Sequence, residues 1–232
     1  DRLMLIVTQS NSEVDMVVEL MKKDVLANGR SMLMVGIVSL GITILMIRGV
    51  GAENEMINLM FLCNVNLFTS MYWAHCLVSL EKTQGTLRWI RVLPISDQDI
   101  IVAKWLGMAG LVSVFFAFSF SASVVEWIFR YPLVALLLWS GCILVGSAFL
   151  CAMWIFGARV GQTIPILLAA LVVFSIWKAE EWGLVVLARI IEVLSTDVGL
   201  VTVSVLALIL SGGLAWITYW WLHRREGFEL VE

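Results

Sequence analysis

Polar side chains occur at helical spacing inside the apolar stretch Met56–Leu80. Asn64, His75 and Ser79 share one face if the stretch is helical, because the eleven residues from Asn64 to His75 are close to three full turns. Such side chains within a membrane either line a polar pathway or form hydrogen bonds to neighbouring helices, and the sequence leaves both interpretations open. His75 could also relay protons, although the same stretch contains no carboxylate to exchange them with.

A charged island follows directly, with the sequence EKTQGTLRWIRVLPISDQD at residues 81–99. Its apolar residues recur at the spacing of one helix face: Leu87, Ile90 and Leu93. Arg88 and Arg91 lie on the neighbouring face, and Pro94 disfavours helical geometry at the residue before it. The pattern predicts a short amphipathic helix whose cations flank an apolar ridge, which suits a groove on a partner protein. A solvated loop between two helices is the alternative.

The ends of the island contain turn and capping residues. Gly85 allows the chain to turn where the preceding helix stops. Ser96, followed three positions later by Asp99, predicts a capping box at the start of the next helix. Asp97 and Asp99 also favour the positive end of the dipole of that helix.

The composition indicates the environment in which these residues work. Of the 232 residues, 61% are hydrophobic and 14% are charged, whereas soluble domains average about 45–50% and about 25%. We therefore expect an all-α, polytopic membrane protein that forms a single transmembrane domain over residues 1–232.

Six apolar segments predict membrane spans, since each comes near the roughly 20 residues that crossing a bilayer requires. They are Met32–Ile47, Met56–Leu80, Ile100–Val125, Leu133–Phe156, Ile164–Trp177 and Leu200–Leu222. Residues 13–30 carry a stripe of apolar residues at helical spacing: Val14, Val18, Met21 and Val25. The stripe predicts an amphipathic helix in the membrane interface, with an ordinary soluble helix as the alternative. Residues 178–198 are too charged to span comfortably; we expect an outer helical hairpin there, or else one long tilted fifth helix.

Lysine and arginine orient the chain. With both termini in the cytoplasm, eleven of them lie inside: Arg2, Lys22, Lys23, Arg30, Lys82, Arg88, Arg91, Lys104, Arg159, Arg224 and Arg225. Four lie outside: Arg48, Arg130, Lys178 and Arg189. The positive-inside rule therefore predicts that both termini and the island face the cytoplasm.

Small residues in the third and fourth predicted spans form stripes that indicate helix-packing seams. In the third span they are Ala103, Gly107, Gly110, Ala117 and Ser121, and in the fourth Gly141, Ala148 and Ala152.

The sequence contains no G-x-x-x-x-G-K-[ST] phosphate loop and neither the G-x-S-x-G nor the H-E-x-x-H hydrolase motif. We therefore expect no catalytic site on this chain. If the protein moves a substrate uphill, the energy is expected to come from another chain.

The island resembles the region between spans two and three in permease subunits of type-2 ABC exporters. The resemblance rests on Glu81-x-x-x-Gly85-Thr86-Leu87, on Leu93-Pro94-Ile95-Ser96, and on Ile101 and Lys104 at the start of the third span. The six predicted spans, the amphipathic first helix and the helical insertion between spans five and six agree with the architecture of that family.

The resemblance implies a subunit that moves substrate out of the cytoplasm by alternating access. Two separate ABC ATPase subunits, which carry ATP and Mg, would drive it, and a second permease copy or a paralogue would complete the unit. It implies no cofactor or metal on this chain, no nucleic acid partner, and a place in the cytoplasmic membrane of a bacterium. The ATPase-coupling element would contain Glu81, Gly85, Thr86, Leu87 and Pro94, to which the physical argument above adds Arg88 and Arg91.

Two alternatives stay open. The chain could be a membrane scaffold or signal transmitter that responds to an ATPase without transport, or a carrier or channel that works alone. The scarcity of charge inside the predicted spans disfavours the second of these.

Overall fold

In the computed structural model, the described residues are 13–49, 55–83, 96–123, 132–182 and 196–224, and their regular secondary structure is entirely α-helical. The helices are α1 (Glu13–Gly49), α2 (Glu55–Thr83), α3 (Asp97–Ser123), α4 (Pro132–Trp182) and α5 (Asp197–Arg224). The prediction of an all-α protein is thereby confirmed for this part of the chain.

Three helices in the described ranges are long and apolar enough to cross a membrane: Asp97–Phe118, Pro132–Gly157 and Asp197–Arg224. They coincide with the third, fourth and sixth predicted spans. A fourth is present if the two segments of α1, Met16–Asp24 and Leu26–Ile42, are taken together as one bent span. The full count of six spans, and the cytoplasmic position of both termini, stay predictions.

Helix α1 joins the predicted interfacial helix to the first predicted span. Its N-terminal segment (Met16–Asp24) and its C-terminal segment (Leu26–Ile42) meet at an angle of 52°. The buried face of α1 repeats every four residues: Leu20, Asp24, Asn28 and Met32. Val18, which belongs to the predicted apolar stripe, is 41% exposed on another face. The buried face of α1 therefore contains a charged side chain, Asp24, in the N-terminal segment and an amide side chain, Asn28, in the C-terminal segment.

Helix α4 contains a break at Gly157, whose φ of 83° and ψ of 168° are not helical. This conformation is open to glycine and strained for other residues. The fourth predicted span, Leu133–Phe156, ends where the break occurs. Beyond it the backbone is helical to Trp182, through the fifth predicted span and the first residues of the predicted outer hairpin. Residues 183–195 of that hairpin lie outside the described residues.

Helices α1, α2 and α3 meet around Trp73. Its indole N–H donates to the carbonyl oxygen of Met32 at 3.3 Å, and its ring packs edge-on against Phe115 with centroids 5.3 Å apart. Gly36 of α1 lies beneath both rings, since a methyl group there would be 3.8 Å from each. The small residue thus lets two aromatic side chains fill the space between three helices.

Only some of the small residues in the predicted packing seam of α3 are buried against other described helices. Ala103 and Gly107 are buried, and a methyl group at Gly107 would lie 4.0 Å from Cγ of Met21 on α1. Gly110 and Ala117 are exposed. Of the predicted seam residues, those in the first turns of α3 are therefore the ones that face α1.

Helix α4 approaches its neighbours through residues that differ from the predicted stripe. A methyl group at Gly146 would lie 2.6 Å from Sδ of Met108, so α3 and α4 are close at this glycine. Ser147 and Ser211 share a buried hydrogen bond between α4 and α5. These contacts join α4 to α3 and to α5, and α4 also packs against α2.

Candidate functional site

The predicted capping box holds the end of the charged island where α3 begins. The Asp99 N–H donates to Ser96 Oγ at 3.1 Å, and the Ser96 N–H donates to Asp99 Oδ2 at 3.3 Å. The Ser96 hydroxyl donates to the same carboxylate oxygen at 2.6 Å. This prediction is confirmed, and the island therefore leads into α3 at a fixed residue.

A buried ion pair lies two turns further along α3. Lys104 Nζ donates to Asp24 Oδ2 at 2.7 Å, and each side chain is only 3% exposed. A second cation is close, since Lys23 Nζ lies 3.5 Å from Asp24 Oδ1. The carboxylate of Asp24 is thus placed between two ammonium groups, one on its own helix and one on α3.

The position of this pair decides what it does for the fold. Removing a carboxylate and an ammonium from water costs several kcal/mol for each ion, and the cost is offset only when the two meet in good geometry. Asp24 is the last residue of the N-terminal segment of α1, directly before the bend. The pair therefore fixes that segment against the start of α3, beside the close contact of Met21 with Gly107.

Lys104 is one of the eleven cations predicted to lie on the cytoplasmic side. In the structure this residue is buried in the bundle and is 2% exposed. The orientation predicted by the positive-inside rule stays a prediction. The sequence contained a sign of this burial, because Lys104 is the eighth residue of α3 and no other Lys or Arg occurs between it and Ser123.

The three candidate pathway residues lie along α2. Asn64 is exposed and His75 is half-buried, while Ser79 lies in the helix with its side chain outside the described residues. Other polar residues of α2 are buried: Asn66, Thr69 and Ser70. Thr69 Oγ1 lies 3.2 Å from Ser39 Oγ of α1 and forms a hydrogen bond between the two helices. The pathway role of the first three residues stays a prediction.

The candidate coupling residues fall between α2 and α3. Glu81 is in the last turn of α2, which ends at Thr83. The others lie outside the described residues: Gly85, Thr86, Leu87, Arg88, Arg91 and Pro94. Their role also stays a prediction. The helices on either side of the island both pack against α1 and against each other.

Within the described ranges, no group of three or more His, Cys, Asp and Glu side chains is placed to hold a metal ion. What these ranges contain is a capped helix start, a charge pair that joins two helices, and polar side chains along a neighbouring helix.

Comparison with known proteins identifies a family. The sequence model described as "ABC-2 family transporter protein" matches residues 19–222 of this chain. No curated protein and no solved structure matches the chain. The match includes the N-terminal segment of α1 from Glu19, the island and all of α2 to α4, and it ends at Leu222 near the end of α5.

Proposed function

The chain belongs to the ABC-2 transporter family and is a membrane permease of an ABC-type transporter, and from this premise we propose that it acts as an exporter driven by separate ATPase subunits. The observation that carries the proposal is the family match, which covers residues 19–222. The geometry at the start of α3 supports it, because a force applied to the island would enter a helix that is capped at Ser96 and ion-paired at Lys104.

In the proposed mechanism, two ABC ATPase subunits bind ATP and Mg and close on each other. Their closure pushes on the island through an apolar ridge containing Leu87 and through the cations Arg88 and Arg91. Glu81, Gly85, Thr86 and Pro94 set the shape of that element. Helices α2 and α3 then tilt, which closes the inner side of the pathway and opens the outer side.

The pathway itself is proposed to run along α2. Asn64, His75 and Ser79 would supply its polar groups, and a second permease copy or a paralogue would supply the opposite wall. The complex would lie in the cytoplasmic membrane of a bacterium, with residues 178–198 as a lid on the outer side.

The test is a charge placed on the apolar ridge. We expect Leu87→Asp to weaken binding to a co-expressed partner ABC ATPase by about tenfold or more, a loss of about 1.4 kcal/mol. Permease-dependent ATP hydrolysis in proteoliposomes should fall with it, while the helix content and the unfolding temperature of the isolated chain stay at wild-type values.

Gln98→Asp is the matched control, because Gln98 is exposed in the first turn of α3, outside the ridge. It should leave binding and hydrolysis unchanged. Wild-type binding and hydrolysis in Leu87→Asp would show that the island is not the coupling element. Failure of the wild-type chain to bind the ATPase would contradict the proposed function as a whole.

A further inference from the structure

The buried ion pair between Asp24 and Lys104 has a consequence for how the helices move. We propose that these two side chains are a positioning pair, which makes the N-terminal segment of α1 and the first turns of α3 move as one rigid body. The proposal rests on the proposed function only for the source of the force that moves the helices. The rigid junction between the N-terminal segment of α1 and the first turns of α3 is inferred from the contacts within this chain.

The energetics of a buried charge pair make the junction resistant to sliding. The residues within one helical turn of Asp24 or Lys104 along the chain include buried apolar side chains: Leu20, Ile100, Ile101 and Ala103. A shift of α1 along α3 that breaks the 2.7 Å contact would leave a carboxylate and an ammonium in that environment, which is far more costly than separating apolar side chains. The matched charges therefore favour one relative position of the two helices.

The contacts beyond the bend are of a different kind. The C-terminal segment of α1 meets α2 and α3 through an indole N–H to the Met32 carbonyl and through the Trp73 and Phe115 rings over Gly36. These groups are neutral, so small displacements cost less there. The 52° bend between the two segments is thus the place where movement of α3 would be taken up.

Spin labels can measure this rigidity directly. One label replaces Val18 on the N-terminal segment and the other replaces Gln98 at the start of α3, since both positions are exposed. The background is the full chain in lipid nanodiscs with its four native cysteines replaced. The key variant is Asp24→Leu with Lys104→Met, because replacing both members of a buried pair by apolar residues of similar size retains folding where removal of one member does not.

In the isolated chain we expect a narrow distribution of distances between the two labels. The apolar double variant should broaden this distribution while its unfolding temperature stays at or above that of the parent. Lys22→Gln, which removes the exposed ion pair to Glu19 on the same segment, is the matched control and should leave the distribution narrow. A distribution that stays equally narrow in the apolar double variant would overturn the proposal, because general packing would then explain the junction.

A second measurement adds the ABC ATPase with ATP and Mg. The distance from Val18 to Gln98 should stay constant in the parent chain, whereas the distance from Val18 to a label at Leu33, across the bend, should change. A nucleotide-dependent change between Val18 and Gln98 would also overturn the proposal. If the ATPase does not bind at all, the proposed function fails, and the comparison in the isolated chain still decides whether the pair positions the two helices.

Discussion

Two oppositely charged side chains lie buried within the described helix bundle. Asp24 and Lys104 are each 2% exposed, and their contact joins residues 80 positions apart. The exposed pair of Lys22 with Glu19 lies on the same helix segment, and its lysine side chain is 60% exposed. Because water screens the exposed pair, its loss should lower the free energy of unfolding less than loss of the buried pair.

We expect Lys104→Met to lower the free energy of unfolding by about 3–5 kcal/mol, because it leaves the Asp24 carboxylate buried without the cation of α3. Lys22→Met should cost at most about 1 kcal/mol. Denaturant unfolding in detergent micelles, followed by circular dichroism, measures both. Adding Asp24→Leu to Lys104→Met should restore the stability to that of the parent or above it. A double variant as unstable as the single one would show that charge pairing is not the reason for the loss.

The sequence predicted the Ser96–Asp99 capping box but not the Asp24–Lys104 ion pair, and the difference has a physical reason. The Ser96–Asp99 capping box spans three positions, so its partners are neighbours whenever a helix starts there. The partner of Lys104 depends on which helices pack together, and this is set by the whole bundle. The four-residue repeat Leu20, Asp24, Asn28 and Met32 becomes recognisable as a buried face only once α3 is known to lie against it.

Two helices change direction or geometry along their length: α1 has a bend of 52°, and α4 has non-helical backbone at Gly157. Hydropathy predicted the end of the fourth span at Phe156, and the helix breaks at the following residue. In α1 the sequence predicted a boundary near residues 30–32, between the interfacial helix (13–30) and the first span (Met32–Ile47), whereas the 52° bend lies between Asp24 and Leu26. Apolar patterning therefore located the break in α4, whereas the bend in α1 depends on tertiary contacts.

Gly157 provides a test of the break in α4. Its φ of 83° is strained for any residue with a Cβ, so Gly157→Ala should lower the free energy of unfolding by about 1–3 kcal/mol. Open space surrounds the site, so a steric clash would not contribute. Gly141→Ala is the matched control in the same helix, since Gly141 is helical and also faces open space. It should stabilise the protein by up to about 1 kcal/mol. A stabilised Gly157→Ala variant would mean that α4 continues as an unbroken helix.

The whole molecule is a bundle in which each helix buries only part of its surface. Helix α5 packs through a narrow stripe that includes Ser204, Ala207, Ser211 and Thr218, and it exposes large apolar residues such as Ile209 and Trp216. Close packing through small residues is typical of helices within a membrane, where lipid can cover an apolar outer face. The membrane class was predictable from composition alone, whereas the residues that form each seam were not, because spacing alone does not decide which side of a helix faces a neighbour.

If a partner ATPase drives this permease through alternating access, as we propose, the accessibility of Asn64 should change with ATP, and labelling of Asn64→Cys measures this change. Asn64 is exposed on α2 and lies nearer the outer end of that span in the predicted orientation. The labelling uses a membrane-impermeant maleimide, added outside right-side-out vesicles that contain the permease, its ABC ATPase and no other reactive cysteine. We predict slow labelling without nucleotide and faster labelling when ATP and Mg are enclosed with the ATPase. The Leu87→Asp variant should abolish the increase. A labelling rate that is the same with and without ATP, in a complex that hydrolyses ATP, would contradict the proposed alternating-access mechanism.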